Sequence, residues 1–337
     1  MTDGAELLAE IEILGNRLET ARASIRNRFL GQEDVVDLTL ATLLCGGHAL
    51  LVGLPGLGKT RLVETLATVM GLDANRVQFT PDLMPADILG SEVLETSSDG
   101  SRAFRFIEGP VFCQLLMADE INRASPRTQS ALLQAMQEHQ VSVAGSARPL
   151  GAPFHVLATQ NPLEQEGTYP LPEAQLDRFL LQIDVPYPTR TAERAILIAT
   201  TGTQDAPAAP VFNATDLRAA QKLLRQMPVG DGVIEMILTL VRACRPDSPE
   251  TAPHLAGLLA WGPGPRAAQA LMLAVRARAL MQGRLVPDTN DVCALARPAL
   301  AHRMALNFAA RAQNADLGSL IDETARMAQA TTAARLA

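Results

Sequence analysis

A chain of 337 residues allows for about two domains, and with 47% hydrophobic and 19% charged residues it can bury a large core, which excludes wholesale disorder. A net charge of −7 gives no global attraction to nucleic acid. The acidic start Met1-Thr2-Asp3-Gly4-Ala5-Glu6 lacks a signal-peptide profile, and no apolar run nears the roughly 18 residues of a membrane span. Cys45, Cys113, Cys244 and Cys293 lie too far apart for a zinc site or disulfide framework, so the cytoplasm is the expected compartment.

Leu7, Leu8, Ile11, Leu14, Leu18 and Ile25 form an apolar stripe that predicts a helix over 5–29. Gly31-Gln32-Glu33-Asp34 interrupts it, and a second helix runs to about Leu44. Next comes Ala49-Leu50-Leu51-Val52, an apolar strand, followed by Gly53-Leu54-Pro55-Gly56-Leu57-Gly58-Lys59-Thr60 and Arg61. Gly53, Gly58, Lys59 and Thr60 fit the spacing G-x-x-x-x-G-K-[ST] of a phosphate-binding loop. Glycines let the backbone approach phosphate oxygens, and the following helix turns its positive end toward the anion. In such a loop Lys59 would reach the β- and γ-phosphates and the Thr60 hydroxyl would ligate Mg²⁺. A bare glycine-rich turn is the alternative, but the buried strand before the loop and the helical spacing of Leu62, Leu66, Val69 and Met70 after it favour the nucleotide site.

Val77-Gln78-Phe79 reads as the next strand. Residues 81–109 read as an insertion, in which Phe104-Arg105-Phe106-Ile107 alternates like a hairpin strand and Ser97-Ser98-Asp99-Gly100 fits the tip. Gln114 to Glu120 is a buried strand ending in two acids, followed by a helix with Ser125 as N-cap and Pro126 in its first turn. Val141–Val143 and Arg148–Leu150 suggest a second hairpin, and Phe154–Thr159 and Leu180–Val185 suggest two more strands.

Past Pro186 and Pro188 the pattern changes. Helical stripes cover 215–226, 231–244, 265–282, 289–304 and 318–336, Thr201 to Pro210 is a loop, and no strand is evident. The expected fold is α/β: a doubly wound parallel sheet over residues 1–188, with an all-helical domain over 189–337.

Parallel strands deliver their carboxyl ends to one crevice, where the phosphates also sit. Asp119 there would hold Mg²⁺ through its water shell, and Glu120 would deprotonate the attacking water. Asn161, in Thr159-Gln160-Asn161-Pro162, can hydrogen-bond the γ-phosphate or that water. The five histidines show no metal-ligand spacing and read as structural.

The loop Gly53–Thr60 combines with Leu116-Met117-Ala118-Asp119-Glu120-Ile121-Asn122-Arg123-Ala124, Thr159-Gln160-Asn161-Pro162 and Leu171-Pro172-Glu173-Ala174-Gln175-Leu176-Asp177-Arg178-Phe179. Together they resemble the MoxR family of AAA+ ATPases from about Leu30 to about Met304. The resemblance implies that Gly53–Thr60 is Walker A, that Asp119 and Glu120 are Walker B, and that Asn161 is sensor 1. It implies that Arg178 is an arginine finger reaching a neighbour's ATP, that Gln32 lies near the adenine, and that the hairpins are the helix-2 and pre-sensor-1 insertions. Arg266 looks like sensor 2, although Gly262-Pro263-Gly264-Pro265-Arg266 departs from the family's usual Gly-Ala-Ser-Pro-Arg. By the same resemblance the chain would form a ring, a hexamer, that uses ATP and Mg²⁺ to remodel client proteins with a von Willebrand factor A-domain partner. Three rivals stay open: a metal-chelatase ATPase subunit, a nucleic-acid motor, and a nucleotide-gated scaffold without turnover.

Overall fold

The computed structural model describes residues 4–96, 102–163, 167–201 and 208–336. The hairpin tip expected at 97–100 and most of the loop expected over 201–210 lie outside them. Helices α1 (Gly4–Arg26) and α2 (Glu33–Leu44) precede strand β1 (Ala49–Val52) and helix α3 (Lys59–Met70). Strand β2 (Ala74–Gln78) leads into the short helix α4 (Pro85–Leu89) and a hairpin of β3 (Gly90–Thr96) and β4 (Arg102–Glu108). Then come β5 (Leu115–Asp119), α5 (Pro126–Glu138), and a second hairpin of β6 (Gln140–Val143) and β7 (Ser146–Pro149). Strand β8 (His155–Gln160), a single turn α6 (Glu173–Leu176) and β9 (Leu181–Asp184) complete this part.

The five long-range strands form one parallel sheet in the order β2-β5-β8-β1-β9. Their side chains alternate between two cores, as a two-residue period requires. Leu51, Met117, Leu157 and Ile183 face one core, while Leu50, Leu116, Val156 and Ala158 face the other, where they meet Leu132, Leu133 and Met136 of α5.

Helices α7 (Arg190–Thr201), α8 (Ala214–Gln226) and α9 (Asp231–Ala243) follow the sheet. The chain then passes through β10 (Leu259–Trp261), α10 (Pro265–Met281), α11 (Thr289–Leu300), β11 (Ala305–Leu306), α12 (Phe308–Ala312) and α13 (Leu317–Leu336). The helical part carries one small antiparallel pair, β10 with β11, that the sequence did not announce. These strands are only three and two residues long, too short for any alternation to register. Helix α7 was also missed. The expected helix over 289–304 stops at Leu300 and tightens into a 3-10 turn, Ala301–Arg303, two residues after the internal Pro298. Apolar residues of α8 to α11, including Leu224, Leu240, Leu271 and Leu295, join the same core as Leu51 and Ile183, so the helical part is packed onto the sheet without a break.

Strands of four to six residues at roughly 3.3 Å per residue separate the two edges of this sheet by about 13–20 Å. Which edge a side chain occupies therefore decides what it can touch.

Candidate active site

The carboxyl edge carries the glycine loop. The Gly53 N–H donates to Gln160 O (3.1 Å), which pins the start of the loop to β8. A Cβ on Gly53 would lie 2.7 Å from Val185 O, so only glycine passes between β1 and β9. Gly56 and Gly58 take left-handed conformations at φ +81° and +76°. Gly58 is also the N-cap of α3, and no side chain caps that helix, so its first-turn amides face the loop. Lys59 turns back into the loop and donates to the carbonyls of Gly53 and Leu54. Burial lowers its pKa, while the charges of Asp119 and Glu120 act to raise it.

Beside the loop opens a cavity of about 570 Å³ lined by Phe29, Gln32, Gly56, Gly58, Arg61 and Leu197, among others. That lies within the usual range of small-molecule sites. Gln32 is buried; its Nε2 donates to Pro186 O (3.0 Å), and its Oε1 has no partner among the described residues. An adenine amino group is one donor that would satisfy such an oxygen.

Asp119 ends β5 and is nearly buried. Its Oδ1 accepts from the Thr159 hydroxyl and its Oδ2 from Arg76 (2.6 Å). Glu120 sits at φ +55°, a conformation that costs a non-glycine residue roughly 1–2 kcal/mol, and it turns the chain sharply out of the strand. Its N–H donates to the Thr159 oxygen (2.8 Å), and its carboxylate accepts from Gln78 (2.7 Å) and Arg123 (3.0 Å). Asn161 follows β8 directly, buried, with its Oδ1 accepting from the Leu163 N–H (3.1 Å). Neighbouring strands thus deliver the acid pair and the amide to the edge that carries the loop.

Thr60 and Asp119 offer hard oxygen donors suited to Mg²⁺. Among the described residues no three His, Cys, Asp or Glu side chains cluster into a protein-made metal cage.

The two remaining candidates lie at the opposite edge. Arg178 stands three residues before β9, where Leu180 N–H bonds the carbonyl of His48 just ahead of β1. Its Nη1 donates to Leu133 O of α5. Arg266, in the first turn of α10, lies 3.7 Å from Asp177. Both line one cavity of about 430 Å³ together with His48, His139, Asp177 and Arg303. The fold therefore gathers Lys59, Asp119, Glu120 and Asn161 and keeps Arg178 and Arg266 away from them.

Residues 48–181 match the family described as "ATPase family associated with various cellular activities (AAA)", and residues 254–324 match the AAA lid domain. The chain is 40% identical to Chaperone MoxR1 of Mycobacterium tuberculosis, covering 92% of this chain and 80% of that one. It is 32% identical to Protein MoxR of Paracoccus denitrificans, covering 86% and 89%. The fold is similar to the crystal structure of an inferred ATPase from Cytophaga hutchinsonii, with a TM-score of 0.85 at 34% identity over 94% of this chain and 96% of that one. The chain belongs to the MoxR family of AAA+ ATPases.

Sequence reasoning missed four residues that shape this MoxR site. Thr159 bridges the acid pair, and Arg76 and Gln78 of β2 reach across to Asp119 and Glu120. Gln78 ends a strand at the crivice edge, a signal that could have found it; Arg76 offered none. The fourth is Arg303, which forms an ion pair with Asp177 next to Arg178 (2.8 Å). Two of the histidines are held as structural groups: His48 accepts from Val156 N–H and lies 3.2 Å from Met136 O, and His155 lies 2.8 Å from Gly47 O.

Proposed function

We propose that this MoxR protein hydrolyses ATP in pockets built by two copies of the chain, and couples that hydrolysis to the remodelling of client proteins. One observation carries the reading: the glycine loop and acid pair lie at the carboxyl edge of the sheet, whereas Arg178 and Arg266 lie at the amino edge. No arginine at the amino edge can serve its own chain's loop across about 13–20 Å of strand. A head-to-tail contact that sets one copy's amino edge on the next copy's loop would close into a ring, and the family likeness supports six copies.

In such a pocket the loop amides and Lys59 bind the phosphates, and Gln32 orients the base. Bound Mg²⁺, held by Thr60 and through water by Asp119, would supply charge compensation on the phosphates. Glu120 takes the proton from the attacking water once it is released from Gln78 and Arg123, and Asn161 orients that water. Arg178, with Arg266 beside it, offsets the charge that develops on the transferring group. Such a finger is worth roughly 10³–10⁵ in rate, so an isolated subunit should turn over slowly.

Residues 1–188 act as the ATPase core and 189–337 as the lid. The client-remodelling role rests on the similarity to Chaperone MoxR1. A von Willebrand factor A-domain protein is the partner that the family likeness suggests. The deciding experiment is phosphate release from Glu120→Gln, from Arg178→Ala, and from their mixture. Each alone should be inactive, Glu120→Gln should still bind ATP, and mixing should restore turnover. A mixture as inactive as its parts would overturn the two-copy pocket.

A further inference from the structure

Arg178 needs a rigid mount if it is to reach a phosphate on another molecule, yet its own segment supplies little. It leaves the single turn α6 and enters β9 two residues after Phe179, with its guanidinium on one carbonyl of α5. Its carboxylate neighbour Asp177 points to other partners. The mount comes from 125 residues further along the chain, in the 3-10 turn that follows α11.

Arg303 is buried there, its side chain 3% exposed. Its Nε donates to Asp177 Oδ1 (2.8 Å), its Nη1 to the carbonyls of Leu180 (3.0 Å) and Ala299, and its Nη2 to the carbonyls of Phe179 and Asp177 (3.4 Å). A guanidinium has a rigid fork of five N–H donors, and here all three nitrogens are engaged. The next-door His302 adds a contact from Nε2 to Phe179 O (3.0 Å). Backbone on both sides of Arg178, at Asp177, Phe179 and Leu180, is thereby tied to one side chain of the lid.

We propose that Arg303 is a positioning residue for the ATPase reaction: it fixes the backbone that carries Arg178, so that the finger meets the neighbouring copy's phosphate in a set geometry. This rests on the two-copy pocket above. Asp177 is the shared post, taking Arg303 on one oxygen and Arg266 on the other, so the lid registers both trans arginines at once. A shift of about 1 Å in a group that must meet a reacting phosphate costs on the order of 10² in rate, and loss of the fork allows such a shift.

The test uses full-length Arg303→Met and Arg303→Lys. Lys retains a charge opposite Asp177 but lacks the fork. Both should bind a fluorescent ATP analogue at their own loops with unchanged affinity, and both should lose turnover by about 10²-fold. Mixed with Glu120→Gln, each should regain phosphate release, because in a random mixture about one quarter of head-to-tail pockets pair an intact base with an intact finger. Mixed with Arg178→Ala, neither should regain it, since both partners lack a working finger. Wild-type turnover in Arg303→Lys would overturn the proposal, as would loss of nucleotide binding in both variants, which marks a staple for the whole fold. No gain with Glu120→Gln, while Arg178→Ala does gain with it, would sink the role of Arg303 alone. No gain in either mixture would sink the two-copy pocket itself.

Discussion

Lowering the pH from about 7.5 to about 5 should cost this protein much of its stability, through three buried imidazoles at the amino edge of the sheet, those of His48, His155 and His302, each held below its ordinary pKa by burial. His48 uses Nδ1 to accept the Val156 N–H (2.9 Å), which leaves Nε2–H for Met136 O (3.2 Å). Its ring packs edge-on to Phe154 with His139 on another side, at centroid distances of 6.0 and 6.3 Å. Protonation would aim a second N–H at a backbone donor and place a charge on a buried ring. Burial pushes His48 down to about 3 and His155 to about 4, from 6.5. The unfolded chain takes up these protons first, so stability is complete above about pH 6.5 and is lost as the pH falls below it. At about pH 5 His48 and His155 should each have cost about 2 kcal/mol of stability, or about 4 kcal/mol together, with His302 adding in the same direction, against a total of roughly 5–15 kcal/mol for a typical protein. Urea unfolding at the two pH values measures this directly. His48→Gln keeps an acceptor and a donor without a titrating group, and should remove only the share of His48, about 2 kcal/mol, from the pH dependence. An unchanged acid slope in that variant would refute the assignment of a buried, neutral His48.

Gly53→Ala should weaken nucleotide binding at least tenfold more than Gly56→Ala. A Cβ at Gly53 meets Val185 O at 2.7 Å and forces the β1–β9 join apart, whereas at Gly56 nothing lies within 4 Å and only the roughly 1–2 kcal/mol of left-handed strain remains; a nucleotide titration compares them. Lys59→Ala should abolish ATP binding, and chelation of Mg²⁺ by EDTA should stop phosphate release, both read in the same assays. Asp291→Ala should lower stability by about 2–3 kcal/mol by thermal or urea unfolding, because that buried carboxylate takes two bonds from Arg284 (2.6 and 2.9 Å) and one from the Asp288 N–H (2.8 Å).

Much of the candidate site was legible because its parts are local. The loop from Gly53 to Thr60 is one contiguous string, and Asp119, Glu120 and Asn161 each end an apolar strand that announces itself. The parts that were missed depend on contacts between distant residues. Gln78 meets Glu120 across 42 positions, Arg76 meets Asp119 across 43, and Arg303 meets Asp177 across 126. Nothing in the residues near 303 distinguishes a buried guanidinium from one on a helix surface. The pair β10–β11 escaped for a similar reason, since two strands of three and two residues become strands only by finding each other.

Local chemistry alone was enough to determine that this chain has a glycine-rich loop between a strand and a helix, an acid pair at a strand end and a mostly helical second half, because backbone conformation and side-chain period are set over a few residues. Tertiary structure decided the direction each part faces. With five strands parallel, every carboxyl end goes to one edge and every amino end to the other, and only the folded sheet shows that Arg178 and Arg266 stand on the side from which their own loop is out of reach.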